Sequence, residues 1–474
     1  MKAVVFANVA LAALALVGSA PASTYEVGPG KPFSAVGEVP WEALQPGDTV
    51  LIHARPEPYR EKFVVCRAGT AAAPITVRGV PDANGQLPVL DGDGATTRAK
   101  LSYWGDVRSI VKIGGARVPA DTMPAHIVIE NLDIRSARPP YTFTGADGKK
   151  HAYVKNAAAI TVEKAEHLII RHCNLHDCGN GLFVSSNNER ASRDILVERN
   201  HIFDNGIEKS GQEHNVYAAA IGITFQHNWL GPLRAGCLGN NLKDRSAGLV
   251  VRYNWIEGGN KELDLVDAQD SKLIRADPRY RESFVYGNVF LKLPADGHSF
   301  LVHYGGDGDQ PAQFRKGTLF FYHNTVIYQR RGPGILFRLS SNDERCDFRN
   351  NIVYSIAAGK QLSLVENKGT IGLSHNWFKP GWNFFSSARA AGSAQDDGTS
   401  LIGAAPGFVD FAARDFHLTA TSPCRDAGNA LAGEPFRSHP VERQYVRHQA
   451  SEARLDDGLP DLGAFELNSR PERP

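Results

Sequence analysis

Between His214 and Asp267 polar side chains recur where an alternating strand would carry apolar ones. His214, Asn215 and Tyr217 form one cluster, Asn241, Lys243, Asp244 and Arg245 a second, and Asp264 and Asp267 a third; His303 and Arg338 lie further on. These residue types suit elimination across a uronic acid, which needs a cation to neutralise the carboxylate, a base for the C5 proton and an acid for the departing O4. Lys243 with a depressed pKa would serve as base, with His214 as the alternative, and Arg245 or Arg338 would hold the carboxylate. Tyr217 or His303 would supply the proton, and Asn215, Asn241, Asp264 and Asp267 would line the substrate.

The same residues admit other chemistry. A hydrolase would use paired carboxylates such as Asp264 with Asp267 or Asp244, and a C5-epimerase would share the proton abstraction. A non-catalytic carbohydrate-binding solenoid needs neither. In plainer structural terms, Lys243, Asp244 and Arg245 suit an ion-paired face, and Asp264 and Asp267 suit partners for those cations.

What must position these clusters is a repeat. Ile195-Leu196-Val197-Glu198-Arg199-Asn200 is echoed at Ile223–Asn228, Leu249–Asn254, Phe284–Asn288, Leu319–Asn324, Cys346–Asn350 and Ile371–Asn376, with Cys173 standing for Asn in Leu168–Cys173. The anchors from Asn200 fall 28, 26, 34, 36, 26 and 26 residues apart, and short strands at such a period mark a solenoid. Asn suits a corner because it tolerates left-handed backbone and its amide can bond the coil above or below. The anchors are β-branched and alternate, so helical repeats are disfavoured. The fold class is thus all-β, a single-stranded right-handed parallel β-helix with irregular inserts and a C-terminal capping segment. Along one strand column Val216, Leu242, Leu265, Val302 and Phe337 point inward, so Tyr217, Lys243, His303 and Arg338 point outward together, with Asn215, Asn241 and Asp264 beside them.

The ends and the composition complete the organisation. Lys2, an apolar run to Val17 and Ala20-Pro21-Ala22 lay out a signal peptide over residues 1–22, which implies a secreted or periplasmic protein. The β-helix is assigned to 23–378 and a tail covering its last coil to 379–474. No later segment is apolar enough for membrane insertion, and a net charge of +1 provides no field for nucleic acid. The expected partner is an acidic polysaccharide or oligosaccharide, and the protein is expected to be a monomer. Six cysteines are too few to frame 474 residues, and none forms a CxxC pair. Asp91-Gly92-Asp93-Gly94 and Asp307-Gly308-Asp309 resemble fragments of calcium loops without the full spacing; Asp307 and Asp309 are also placed to rim a cleft. Trp104, Tyr141 and Phe143 lie in irregular inserts, as sugar platforms or, the favoured reading, as packing.

Several motifs resemble those of known proteins. Leu44-Gln45-Pro46-Gly47-Asp48-Thr49-Val50-Leu51-Ile52 is similar to the first coils of right-handed parallel β-helix proteins, and the repeat resembles their repeat family over 49–378. Ala405–Asp410, Asp415–Leu418, Ser422–Gly428 and Asp461–Glu466 resemble the closing segments of β-helix carbohydrate-active proteins. In its distance before Asn254, Lys243 resembles the catalytic lysine of the family 6 polysaccharide lyases, which degrade alginate and chondroitin-type chains. That resemblance implies a lysine acting with an arginine one coil later and a calcium ion nearby; here the next coil carries Asp264-Leu265-Val266-Asp267.

Overall fold

The computed structural model describes residues 22–294, 297–357, 361–455 and 458–467; the signal-peptide segment lies almost wholly outside them. Short strands stack coil upon coil into three long sheets of thirteen, eleven and fourteen strands among the described residues. A coil contributes in turn to the third, first and second sheets, as in Val216–Ala218, Ala220–Gln226 and Trp229–Leu230. The chain is a right-handed parallel β-helix, the hand that parallel crossovers adopt. Inward residues such as Ile195, Ile223 and Leu249 pair in register and build one continuous core. No helix of the described residues is long and apolar enough to cross a membrane.

The corner between the first and second sheets is a buried asparagine ladder. Asn254 Nδ2 donates to the Phe225 carbonyl at 2.9 Å and to Asn288 Oδ1 at 3.0 Å, while its own Oδ1 accepts from the Asn228 amide at 2.9 Å. The chain continues this pattern through Asn324, Asn351 and Asn376. Two details of the expected pattern change. The left-handed residue is the one before the ladder position, as in Arg199, His227, Tyr253, His323 and Asn350, all with φ of 50–56°. In the coil Cys346–Asn351 the ladder residue is accordingly Asn351, not Asn350. Cys173 fills a ladder slot, where its backbone N–H donates to Asn200 Oδ1. All six cysteines are unpaired.

Strands persist beyond residue 378, through Trp382–Phe385 and Ser393–Asp396 to Leu401–Ile402. The tail runs back along the side of the solenoid, where Phe416, Tyr445, Ala464 and Phe465 pack on Trp255, Val289, Leu291 and Ile327. The physical reason is the outward face of the second sheet, which is apolar over these coils and would otherwise meet water. Arg199 to Gln449 and Arg414 to Glu257 fasten the tail at its edges.

Candidate functional site

Register aligns Phe183, Tyr217, Lys243, Asp264, His303 and Arg338 on successive coils of the third sheet, each step about 4.8 Å. The inward partners in register are Val216, Leu242, Leu263, Val302 and Phe337. Leu263 replaces the expected Leu265, so Asp264 stands within the outward column, between Lys243 and His303. Turn lengths set this register, and both leucines face the core, which left alternation without a choice between them.

Lys243 Nζ lies 3.1 Å from Asp264 Oδ2 and also contacts Asp307 Oδ2. Burial alone would lower the pKa of its ammonium, but the charges of Asp264 and Asp307 outweigh it and hold the group above its usual value. The depressed lysine base is thereby corrected: Lys243 is a fixed cation. Arg245, also largely buried, donates through Nε to the Tyr217 hydroxyl oxygen at 2.9 Å and through Nη2 to Asp307 Oδ1 at 3.2 Å. Its Nη1 bonds the Asp267 carbonyl. Tyr217 is half-buried and stacks on Phe183 with ring centroids 4.9 Å apart.

Asp307 is thus more than a rim residue. It follows Gly305, whose φ of +129° turns the chain away from the third-sheet strand; a Cβ there would stand 2.7 Å from Ser340. The Asp307 and Gly308 amides donate to Asp267 Oδ1 at 2.8 and 3.4 Å, which folds the Asp307 side chain back over two coils to Lys243 and Arg245. Burial would raise its carboxyl pKa, but Lys243 and Arg245 hold it below the usual range. Asp267, fully buried, is therefore a brace for this loop and not a surface ligand.

The remaining candidates separate by burial. Asp264 is 1% exposed, bonded by His303 Nδ1 and Lys261 Nζ at 2.9 Å and by Asn240 Nδ2 at 2.8 Å. Burial opposes its ionisation, yet the hydrogen bond from His303 and the charges of Lys243 and Lys261 keep its carboxyl well below the usual range. His303 spends its second nitrogen on Ser340 Oγ at 2.9 Å and is almost fully covered, so it orients Asp264 and has no path to protonate a glycan. Asn215 and Asn241 face inward with no exposure, their amides spent on each other and on Gly231, Glu257 and Gly258 carbonyls. They shape a turn and do not contact the cleft. Asp244 pairs with Arg315 at 2.7 Å, both fully buried, which removes it from any acid–base pair. Arg338 is exposed and faces Glu366 at 3.5 Å, three coils from Lys243 and outside its reach.

His214 presents the opposite of a base. Its Nδ1 accepts from the Asn240 amide at 2.9 Å. Burial first, and then the charge of Lys243, bring its pKa down to about 3. The ring is neutral at ordinary pH with its lone pair occupied, so its proton sits on Nε2 and can only be donated.

Sequence reasoning missed Lys261, Asn240, Ser340 and Arg315. Lys261 lies three residues before Asp264, a spacing that could have suggested a pair; the others come from loops with no periodic signal. The calcium implied by the family 6 resemblance does not fit these residues. The carboxylates near Lys243 are each neutralised by lysine or arginine, and Asp91 is likewise engaged by Arg60 and Arg135. Among the described residues no group of three or more His, Cys, Asp or Glu is arranged to hold a metal.

No family model matches the chain, and no curated protein does. Solved structures resemble this chain at low identity. An alginate lyase from Paenibacillus sp. str. FPU-7 is 13% identical over 80% of this chain and 99% of its own, with a TM-score of 0.45. The pectate lyase Pel9A is 12% identical over 95% of this chain and 98% of its own, with a TM-score of 0.47. A GH136 lacto-N-biosidase from Eubacterium ramulus is 11% identical over 80% of this chain and 67% of its own, with a TM-score of 0.43. Membership of family 6 is supported by none of them.

Proposed function

We propose that this protein is a carbohydrate-active enzyme that cleaves a uronic-acid-containing glycan by β-elimination. One observation carries the reading: the Asp307 carboxylate is held between Lys243 and Arg245, and the same Arg245 bonds the Tyr217 hydroxyl through Nε. Two fixed cations around one carboxylate, with a phenol bonded to one of them, are the parts that elimination from a uronate requires. In the reaction the substrate carboxylate takes the place of Asp307. Lys243 and Arg245 then neutralise it, which acidifies the C5 proton and stabilises the enediolate that forms.

Tyr217 is the proton carrier. Arg245 Nε donates to its oxygen and fixes its position; reacting as the phenolate, Tyr217 accepts the C5 proton. As the C4–C5 double bond forms, the C4–O4 bond breaks and the proton passes from Tyr217 to the leaving oxygen. His214, able only to donate, and the Asp264–His303 pair complete the wall behind Lys243. Hydrolysis is less suited to this geometry, because Asp264 is held ionised by three partners and Asp244 and Asp267 are enclosed.

The test is the mass of the products after incubation with a panel of polymannuronate, polyguluronate, polygalacturonate and glucuronate-containing chains. Each eliminative cut leaves its new non-reducing-end fragment one water lighter than the hydrolytic counterpart. Products that are all of hydrolytic mass would reject the proposal.

A further inference from the structure

Among the described residues, Trp104 is the most exposed tryptophan, at 41%; Trp41, Trp255 and Trp377 are at most 2% exposed. Its placement is specific. Trp104 O accepts from Lys112 Nζ, and the indole Nε1 bonds Glu163 Oε1. Lys112 Nζ pairs with Glu163 at 2.7 Å and lies 5.5 Å from the indole ring centroid. Lys112 itself is almost wholly buried. A buried lysine and a carboxylate thus clamp the ring edge and leave indole surface in water, a costly arrangement for a residue with no role there.

The ring also lies on the right face. Lys112, Thr161, Phe183, Tyr217 and Lys243 are consecutive partners in register, so Trp104 sits over the same outward column as the uronate site, three to four coils toward the N-terminus of Lys243. At about 4.8 Å per coil that is roughly 14–19 Å. In the other direction the column is closed: Gly306 bonds Ser340, Ser340 bonds His303, and Asp307 folds back over Lys243. A glycan whose uronate occupies the Lys243–Arg245 cradle can extend along the sheet only toward Phe183 and Trp104.

We propose that Trp104 is the platform of a distal subsite, where a pyranose ring of the same acidic glycan stacks on the exposed indole. Lys112 and Glu163 are positioning residues that hold the platform. The proposal rests on the elimination reading for its ligand class, but its test does not depend on turnover.

Binding of alginate-derived oligouronates of two and six residues is measured by calorimetry in a Tyr217→Phe background, so that neither is consumed. Trp104→Ala is compared with Trp104→Phe. The expected result is that the preference for hexamer over dimer falls about ten-fold in the alanine variant and is largely restored by phenylalanine. An unchanged preference, equal weakening of both ligands, or no binding of the hexamer to the parent protein would overturn the subsite. Trp104-dependent binding by a protein that gives no unsaturated product would instead retain the subsite and reject elimination. Because the indole is outside the core, unchanged thermal unfolding is expected in both variants.

Discussion

Replacing Asp307 by Asn tests the idea that this carboxylate occupies the seat of the substrate's own. Asp307 makes charge-assisted contacts with Lys243 and Arg245, but its side chain is 28% exposed. A hydrogen bond between charged groups contributes about 1.5–3 kcal/mol when buried, and screening at this exposure leaves about 1 kcal/mol for each. The incoming uronate must displace both, while an asparagine would hold the cations less firmly. The amide bonds from Asp307 and Gly308 to Asp267 involve only backbone donors and survive the change. Allowing for residual hydrogen bonding by the asparagine, a net gain of roughly 1.4 kcal/mol corresponds to about a ten-fold fall in KM. Initial rates of double-bond formation against substrate concentration, for parent and Asp307→Asn, provide the assay. A higher KM, or a kcat lowered a hundred-fold or more, would refute the reasoning and place Asp307 in the proton relay.

Other expectations concern the framework. Asn254→Ala removes the acceptor for the Asn228 amide and the donor to the Phe225 carbonyl, and urea unfolding should record a loss of about 3 kcal/mol; a loss under 1 kcal/mol would mean the ladder is not what holds the corner. Arg315→Leu strands the buried Asp244 charge and should cost about 3–5 kcal/mol in the same measurement, whereas full stability with lost activity would return Asp244 to the site. Buried His214 and His227 have pKa values of about 3 against the usual 6.5, so the unfolded chain binds their protons first as pH falls. Their contribution is complete above pH 6.5 and is lost between 6.5 and 3, at up to about 1.4 kcal/mol per pH unit for each group. His227→Asn, at a corner where Asn350 shows that asparagine accepts the left-handed backbone, should flatten the pH dependence between 6.5 and 5; an unaltered slope would contradict the burial argument.

The solenoid was legible because strands and corner asparagines repeat, and repetition survives one-residue errors in any single coil. Those errors were physical. Adjacent Asn350 and Asn351 offer the same side chain to the same corner, and only the backbone shows that the first takes the left-handed turn. Leu263 and Leu265 both face inward, so alternation could not decide which one continues the column from Leu242. The outward cluster was visible as polar residues on neighbouring coils, but its charge states were not. Residue type alone makes Lys243 a base candidate, whereas Asp264 and Asp307 around it keep it a cation, and Asp307 arrives by a fold-back that no period encodes. The course of the tail depended on the apolar outward face of Trp255 and Ile327. Trp104, for which sequence left platform and packing open and favoured packing, is held partly in the open by Lys112 and Glu163; Tyr141 and Phe143 do pack, the first through Asp177 and the second beneath Lys62.

The central claim is that Tyr217 moves the proton while Lys243 supplies charge. Its most direct test is the ultraviolet absorbance of the 4,5-unsaturated uronate, followed with whichever acidic glycan the parent cleaves, for the parent, Tyr217→Phe and Lys243→Arg. The account predicts that Tyr217→Phe loses at least a hundred-fold in kcat with little change in KM, and that Lys243→Arg, which keeps the cation, retains substantial turnover. Near-normal kcat in Tyr217→Phe, together with complete loss in Lys243→Arg, would contradict it and return the proton transfer to Lys243.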